Sequence, residues 1–276
     1  MGSSLSVPTK ELGPKHYCAD QTDLEVKQIA QHLPWYGPEY SPHDVPNFYD
    51  IAGITENPKV FRKVIDIFVN RYKALGDKGP TRIAGFDARG FIFGPPIAAG
   101  LQIPFIMIRK VGKLPGVVAT SGEYQTEYST DESSIRIGSV SREDRVVLID
   151  DLIATGGTAL AGIRLVEAFG AEITEFAAIV SLPFMDGVKK IHEFDNGKFK
   201  DVSCFTLVDS DLIGPEMCAN PPAGTPRVLA PEEVEKFLGK LRNFKRKEST
   251  SKPTPPASTG EAAAAPAAAA TEEVKA

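Results

Sequence analysis

The sequence predicts an α/β fold, with a central, mainly parallel, twisted sheet flanked by helices. The first observation is an unbroken apolar run, Val146–Ile149, which ends in two carboxylates and a glycine loop and is followed by an amphipathic segment. A short, β-branched run of this kind is typical of a parallel strand buried on both faces. The second observation is that further apolar runs alternate with helical patterns along the chain. That alternation is typical of parallel sheets.

Composition limits the classes of protein that the chain can belong to. Its 276 residues are 42% hydrophobic and 24% charged, which suits one α/β domain with appendages. The net charge of -5 provides no global basic field, so we expect no nucleic-acid partner. The three cysteines are odd in number and lack C-x-x-C spacing, which argues against a disulfide framework or a zinc site. We therefore expect a reducing, cytoplasmic compartment.

The two ends of the chain are predicted to lie outside the folded domain. Residues 1–20 are expected to be a disordered leader, and residues 21–245 a single domain. Residues 246–276 form a tail rich in proline and alanine that cannot bury a core. Gly2 with Ser6 matches a loose N-myristoylation pattern, and we expect membrane contact only if Gly2 carries that group.

The amino-terminal part of the domain is predicted to contain two helices that are separated by an irregular segment. Thr22 or Asp23 can cap a helix that ends at Pro34. Asn57 and Pro58 then begin a long helix, whose apolar residues recur on one side.

Two buried strands follow, at residues 81–86 and 104–108, with a helix at residues 92–101 between them. Residues 117–137 are rich in Ser, Thr and Glu, which predicts a mobile flap with a hairpin at residues 122–128. After the acidic strand and its helix, we expect strands at residues 173–182 and 202–208, with a short helix between them that ends at Phe194. Pro231 begins a terminal helix.

The string after the central strand has the chemistry of a phosphate site. Glycines let the backbone approach a ligand, and the amides of the following helix point toward an anion. A sugar diol, with Mg²⁺ nearby, would satisfy Asp150 and Asp151, which cannot bind phosphate directly. An ordinary strand end and turn is the alternative for an isolated pair of aspartates or glycines. The string is not a nucleotide P-loop, because G-x-x-x-x-G-K-[ST] is absent.

Cations follow the two preceding strands. Arg89 comes after the strand at residues 81–86, and Arg109, Lys110 and Lys113 come after the strand at residues 104–108. In parallel sheets, ligands bind at the carboxyl ends of the strands, so a polyanion such as pyrophosphate suits these positions. A solvated charged surface is the alternative.

Taken together, these segments resemble the adenine phosphoribosyltransferases, which are type I phosphoribosyltransferases. The string D-D-L-I-A-T-G-G-T resembles their signature for phosphoribosyl pyrophosphate (PRPP). The segments G-F-D-A-R-G-F, R-K-V-G-K-L-P-G and Q-T-E-Y occur in the family's order and close to its spacing. The resemblance implies a type I phosphoribosyltransferase fold with a small hood, from residues 24–56 and parts of 185–227, and a mobile flap. It also implies a homodimer that converts adenine and PRPP to AMP and pyrophosphate with Mg²⁺.

The resemblance also implies roles for individual residues. Asp150 and Asp151 hold the ribose diol and the Mg²⁺ shell, and Ala154, Thr155, Gly156, Gly157 and Thr158 hold the 5′-phosphate. Pyrophosphate is bound by Asp87, Ala88, Arg89, Arg109, Lys110 and Lys113, and the Asp87–Ala88 peptide is expected to be cis. Glu127 is the general base, with Tyr128 beside it shielding the reaction from water, and Phe48, Tyr49 and Leu182 contact adenine.

One position departs from the family pattern. Tyr49 stands where many members have arginine, so recognition of adenine there requires backbone contacts. Hypoxanthine, guanine or xanthine is the nearest alternative base. A PRPP-binding regulator without turnover is an alternative of another class, although such a protein would not need Glu127.

Overall fold

The computed structural model describes residues 7–42, 45–125 and 130–239. The chain divides into two compact units, Met1–Pro221 and Pro222–Ala276. The predicted single domain of residues 21–245 is therefore divided after Pro221. None of the helices in the described part of the chain is long and apolar enough to cross a bilayer.

The first unit is built on a nine-stranded sheet and a separate two-stranded ribbon. The strands are β1 (Thr9–Gly13), β2 (His16–Ala19), β3 (Trp35–Tyr36), β4 (Phe48–Tyr49), β5 (Arg82–Phe86), β6 (Phe105–Lys110), β7 (Val118–Gln125), β8 (Thr130–Arg136), β9 (Arg145–Ile153), β10 (Glu172–Ser181) and β11 (Cys204–Asp209). The sheet order is β1-β2-β11-β10-β9-β5-β6-β8-β7, and β3 pairs with β4 in the ribbon. From β2 to β6 the neighbouring strands are parallel. The predicted α/β class, with a mainly parallel sheet, is confirmed.

The sheet is flanked by helices, and two of them begin at a side-chain cap. They are α1 (Leu24–Ala30), α2 (Ala52–Thr55), α3 (Pro58–Lys73), α4 (Gly90–Leu101), α5 (Gly157–Ala168) and α6 (Gly187–Gly197), with short 3-10 turns at Gly76–Lys78, Pro183–Met185, Ser210–Leu212 and Pro215–Met217. The Asp23 side chain caps α1 and the Asn57 side chain caps α3, each by accepting two backbone N–H groups. Both predicted helix starts are confirmed.

Apolar side chains cover both faces of the sheet. On one face, Phe68 of α3 packs against Phe205 of β11 and against Tyr72 of its own helix. On the other face, α5 and α6 cover Phe86 and Phe176. A side chain of this size that is removed from water stabilises the fold by roughly 1.5–3 kcal/mol. The two packed faces fix the strand ends on which the candidate site is built.

The expectation that residues 1–20 are a disordered leader is wrong for residues 9–19. These residues form β1 and β2, and β2 adds to the sheet in parallel beside β11. Cys18 and Ala19 are buried there. The pairing partner lies far away in the sequence, so the local pattern of residues 9–19 carries no signal of it.

The terminal helix begins at Pro231 as predicted and is described as far as residue 239. Val234 and Leu238, four residues apart and so on the same side of this helix, are 41% and 46% exposed and do not join a core. The hairpin predicted at residues 122–128 is observed as the antiparallel strands β7 and β8, which begin earlier and end later in the chain than predicted, and β8 pairs with β6. The predicted tail, residues 246–276, lies outside the described residues.

Candidate active site

The strands that carry the residues predicted to bind ribose and pyrophosphate are neighbours in the sheet, in the order β9-β5-β6. Gly85 of β5 is paired with Ile149 of β9, and Phe86 is paired with Ile108 of β6. Beyond these pairs β5 ends at Phe86, whereas Asp150 and Asp151 continue β9, where Asp150 is paired with Ala178 of β10. The residues that follow β5 therefore lie beside the two aspartates. The carboxyl edge of a parallel sheet is the usual place for a ligand in an α/β protein.

The acidic strand leads through a tight loop into α5. The residues of Val146–Ile149 are fully buried in β9, and α5 begins at Gly157. Gly156 precedes the helix with φ +82°, a left-handed conformation that glycine adopts without steric cost. The first amides of a helix have no carbonyl partner within it, so those of α5 face the loop as donors for an anion. The loop of residues 154–158 lines a small recess with these groups.

Gly187, which the sequence analysis did not single out, shapes the same loop. A Cβ at Gly187 would lie 2.3 Å from the Ala154 carbonyl oxygen, and a Cβ at Gly156 would lie 2.6 Å from the Gly187 carbonyl oxygen. The start of α6 therefore packs backbone to backbone against the loop. The only sequence signal is a glycine at the start of a helix, which is too common to be informative.

The two aspartates are held in an electrostatically unfavourable arrangement. Burial, and then the neighbouring carboxylate of Asp151, raise the pKa of Asp150 well above its ordinary value. Burial also raises the pKa of Asp151, although Arg89 acts against that rise. The Asp151 amide donates to Asp150 Oδ1 at 2.9 Å, which fixes the first carboxylate. A cation or a hydroxyl donor from a ligand would stabilise both ionised groups.

Arg89 is brought to the aspartates by a close helix–strand contact. It precedes α4, whose first residue is Gly90, and a Cβ there would lie 2.6 Å from the Ile149 carbonyl oxygen. Arg89 Nη1 lies 3.0 Å from Asp151 Oδ2, an ion pair without hydrogen-bond geometry. Asp151 Oδ2 is thus a buried carboxylate oxygen with no hydrogen-bond donor among the described residues. The Asp87–Ala88 peptide beside Arg89 is cis, as the resemblance implies.

The remaining cations lie at the end of β6 and in the turn after it. Arg109 Nε donates to Asp87 Oδ2 at 2.8 Å, and its Nη1 donates to the Lys113 carbonyl oxygen at 3.3 Å. Lys110 and Lys113 are exposed. Asp87 therefore orients a guanidinium group next to the site, a contact that the sequence alone did not indicate.

The residues predicted to contact a base lie in different environments. Phe48 lies against Arg89, whose Cζ is 5.5 Å from the ring centroid. Tyr49 is only 6% exposed and belongs to the hydrophobic core, as does Leu182. The Tyr49 side chain is therefore not available to a ligand. The Tyr49 backbone belongs to β4, which pairs with β3 in the two-stranded ribbon. Glu127 and Tyr128 lie outside the described residues.

The carboxylates of Asp150 and Asp151 could hold a divalent cation together with a ligand. The described residues contain no group of three or more acidic, His or Cys side chains arranged for a metal ion. Mg²⁺ does not require such a group, because it commonly keeps several waters and binds through one or two carboxylates and substrate phosphates. The two aspartates beside a phosphate-type loop fit that mode of binding.

Comparison with known proteins gives a single family. Residues 50–219 match the model of the phosphoribosyl transferase domain. The chain is 45% identical over 164 residues to adenine phosphoribosyltransferase 1 of Triticum aestivum, covering 59% of this chain and 84% of that protein. It is 42% identical over 187 residues to adenine phosphoribosyltransferase of Paracidovorax citrulli, covering 68% of this chain and 97% of that protein.

Solved structures agree with the sequence relatives. Adenine phosphoribosyl transferase of Trypanosoma brucei, crystallised with AMP, pyrophosphate and ribose-5-phosphate, has a TM-score of 0.80 and 41% identity, over 84% of this chain and 100% of that chain. The Leishmania donovani adenine phosphoribosyltransferase has a TM-score of 0.79 and 40% identity, over 83% of this chain and 99% of that chain. The fold, the glycine loop and the relatives together show that this chain is a transferase enzyme that belongs to the adenine phosphoribosyltransferase family of phosphoribosyltransferases.

Proposed function

We propose that this enzyme transfers the phosphoribosyl group of PRPP to adenine, with Mg²⁺, and gives AMP and pyrophosphate in purine salvage. The observation that carries the proposal is the pair of buried aspartates next to the loop of residues 154–158, with Arg89 facing Asp151. Support also comes from the names of the relatives and from the ligands of the Trypanosoma brucei enzyme.

The sugar phosphate of PRPP matches the end of β9 and the start of α5. The 5′-phosphate would accept hydrogen bonds from the amides of the loop at residues 154–158, and the hydroxyls of Thr155 and Thr158 can add donors. The ribose diol would donate to the carboxylates of Asp150 and Asp151. Asp151 Oδ2 is buried and receives no hydrogen bond from the described residues, so a ligand hydroxyl stabilises the ionised form.

Mg²⁺ fits the same carboxylates. When bound, it would neutralise charge on the diphosphate and act as a Lewis acid on the departing oxygens. Asp150 and Asp151 would hold its shell, and the diphosphate would supply further oxygens. The raised pKa values of the two aspartates predict that binding the cation releases protons, because it favours their ionised forms.

The departing diphosphate meets the cations at the ends of β5 and β6. The bond between ribose C1′ and the diphosphate oxygen breaks, the bonding electrons leave with the oxygen, and positive charge develops on the ribose. Arg89, Arg109, Lys110 and Lys113 stabilise the negative charge that leaves. Asp87 keeps Arg109 in place through the hydrogen bond at its Nε.

Adenine would enter between the hood and the end of β10. Phe48, which is half-buried, supplies apolar surface, and the backbone of β4 supplies directional contacts, because the Tyr49 and Leu182 side chains are buried in the core. A ring nitrogen of adenine attacks C1′, and Glu127 takes the proton that the ring loses. Tyr128, its neighbour in the sequence, would keep water away from the reacting carbon.

The proposal is tested by incubating the purified chain with PRPP, Mg²⁺ and each purine base in turn, with the nucleotide product identified by mass. We expect AMP from adenine and little product from hypoxanthine, guanine or xanthine, because mismatched polar groups in a buried site cost several orders of magnitude in rate. If the chain formed nucleotide faster from another base, that base and not adenine would be its substrate. PRPP binding without any nucleotide product would identify a regulator instead of an enzyme.

We also propose that the enzyme acts as a homodimer in the cytoplasm. The dimer rests on the family resemblance. The compartment rests on the cysteines: Cys18, Cys204 and Cys218 are all free thiols, which suits a reducing environment. Light scattering on the purified chain tests the dimer, and imaging of the tagged full-length chain tests the compartment. A monomer that forms AMP at full rate would refute the first point, and a membrane or secreted location would refute the second.

A further inference from the structure

The hood ribbon, β3 and β4, is held by a segment that comes much later in the chain. This return segment, residues 214–220, follows β11 and the turn Ser210–Leu212, and it contains the turn Pro215–Met217. Trp35 Nε1 donates to the Gly214 carbonyl oxygen at 3.1 Å, and the Ala219 amide donates to the Trp35 carbonyl oxygen at 2.9 Å. Trp35 also forms a parallel bridge with Cys218. The return segment is therefore bonded to the open edge of the hood ribbon.

A side-chain contact completes this attachment. The Gly37 amide donates to Asn220 Oδ1 at 2.9 Å. Gly37 is buried, and a Cβ there would lie 3.0 Å from Asn220 Nδ2. The Asn220 side chain therefore lies against the backbone directly after β3. Trp35, Gly37 and Asn220 all fall outside residues 50–219, which match the family domain.

The hood ribbon connects this attachment to the candidate site. Trp35 is paired with Tyr49, and Tyr36 is paired with Phe48. Phe48 in turn lies under the guanidinium group of Arg89, which faces Asp151. A displacement of β3 would move β4, and with it the backbone and the ring that the proposed function assigns to adenine.

We infer that Trp35 and Asn220 are positioning residues for the base: their bonds to the return segment hold the hood ribbon at the distance from the strand ends that a purine ring requires. The inference rests on the proposed function for the identity of the base. Holding the ribbon in place before the base arrives lowers the cost of ordering it on binding. Neither residue is assigned a contact with a substrate, so the effect should appear in the affinity for adenine and not in the chemical step.

The test compares Asn220→Ala with Asn220→Asp in the full chain. Alanine removes the acceptor for the Gly37 amide, whereas aspartate keeps an oxygen at the same position. Steady-state kinetics give KM for adenine and KM for PRPP separately. Trp35 is the only tryptophan of the chain, so its emission reports on the hood ribbon independently of activity. Emission that moves to longer wavelength shows greater exposure of Trp35 to water.

We expect Asn220→Ala to raise KM for adenine about two- to tenfold, the range for loss of one hydrogen bond that holds a binding group. KM for PRPP and kcat should stay unchanged, Trp35 emission should move to longer wavelength, and Asn220→Asp should restore both readouts. An unchanged KM for adenine, an equal rise of KM for both substrates, or no recovery in Asn220→Asp would overturn the inference.

Failure of the proposed function is distinguished by the wild-type chain. If that chain formed no nucleotide, the proposed function would fall, and Trp35 emission would still decide whether the return segment holds the hood ribbon. A red shift in Asn220→Ala that Asn220→Asp reverses would support that attachment. Identical emission in all three proteins would overturn it.

Discussion

At the scale of single residues, the site carries an unfavourable charge arrangement that a ligand would relieve. Asp150 and Asp151 are adjacent carboxylates, and the pKa of each is raised by burial. Arg89 forms an ion pair with Asp151 and also lowers the pKa of Asp150, but burial outweighs its charge at both carboxylates. Folding tolerates this arrangement because the two packed faces of the sheet fix the strand that carries the carboxylates. Raised pKa values of this kind are common at functional sites.

Replacing Asp150 by asparagine should stabilise the ligand-free chain and abolish its activity. Because the folded chain binds the Asp150 proton more tightly than the unfolded chain, stability falls as the pH rises from the ordinary carboxyl range through the raised pKa. Asparagine does not ionise, so it avoids this loss of stability with rising pH. Its side-chain oxygen can still accept a hydrogen bond from the Asp151 amide. We expect the Tm at pH 7 to rise by about 2–4 °C, which corresponds to about 1 kcal/mol, and turnover to fall at least about a hundredfold. Calorimetry and kinetics check the two effects.

The control for this variant is Asp77→Asn, because Asp77 is an exposed carboxylate in a surface turn. It should leave both the Tm and turnover as they are in the wild-type chain. A lower Tm for Asp150→Asn, or near-normal turnover, would contradict the role of Asp150 as a strained ribose ligand.

Glu127 is assigned a different role, and the variant Glu127→Gln tests it. Glutamine keeps the shape and the polarity of the side chain but cannot take up a proton from adenine. We expect kcat to fall by about 10²–10⁴-fold, the usual contribution of a general base, with little change in the Kd for PRPP. Single-turnover kinetics and PRPP titration separate the two quantities. Equal losses in both would show that Glu127 binds PRPP and is not a base.

Site residues could be predicted from the sequence where the side chains that act together are close together in the chain. The string around Asp150 could be recognised because its carboxylates, glycines and threonines are contiguous. The pairing of Asp87 with Arg109 and the contact of Gly187 with Ala154 join separate elements. No local sequence pattern predicts such contacts between elements. The roles of the residues toward PRPP and adenine stay predictions until ligands are bound.

At the scale of elements, the central strand, loop and helix were predictable because each carries its own signal. β9 is a buried apolar run, and α5 is an amphipathic segment that follows glycines. β1 and β2 have no such signal, since β2 is stabilised by pairing with β11. Glu175 of β10 is a similar case: it is buried and binds Arg71 of α3 through two hydrogen bonds, at 2.8 and 2.6 Å. A charge inside a strand gives no indication of a partner more than a hundred residues away.

The contact between the start of α6 and the phosphate loop should be sensitive to one methyl group. Gly187→Ala places a Cβ 2.3 Å from the Ala154 carbonyl oxygen, so the loop or the helix must move. We expect a loss of about 1–3 kcal/mol in the free energy of unfolding, as for other overpacked sites, and a higher Kd for PRPP. Gly13→Ala is the matched control, because nothing lies within 4 Å of a Cβ there. Equal stability and PRPP affinity in the two variants would contradict this contact.

At the scale of the whole molecule, the chain extends at both ends beyond the residues that match the family domain. The match to the family covers residues 50–219, while β1, β2 and the hood ribbon precede it and the second unit follows it. β1 and β2 join the sheet, and β3 and β4 form the hood ribbon, so these strands are part of the folded first unit. The fold of the matched region was predictable because it rests on repeated strand–helix patterns. The hairpin of β1 and β2 and the position of the return segment could not be predicted, because each depends on pairing with residues far away in the sequence.

The tail should be dispensable for catalysis. Residues 249–276 lack the apolar residues needed to bury a core, and none of the predicted site residues lies there. We expect a chain that ends at Glu248 to keep the kcat and both KM values of the full chain. Steady-state kinetics on the truncated chain check this. A loss of activity on truncation would show that the tail contributes to the site or to assembly.

The proposed binding of PRPP is tested most directly by a crystal structure of this chain with PRPP and Mg²⁺. We expect the 5′-phosphate on the amides of residues 155–158, the ribose hydroxyls on Asp150 and Asp151, and the diphosphate toward Arg89 and Arg109. PRPP bound away from the end of β9, or bound there with its diphosphate against the glycine loop, would contradict it.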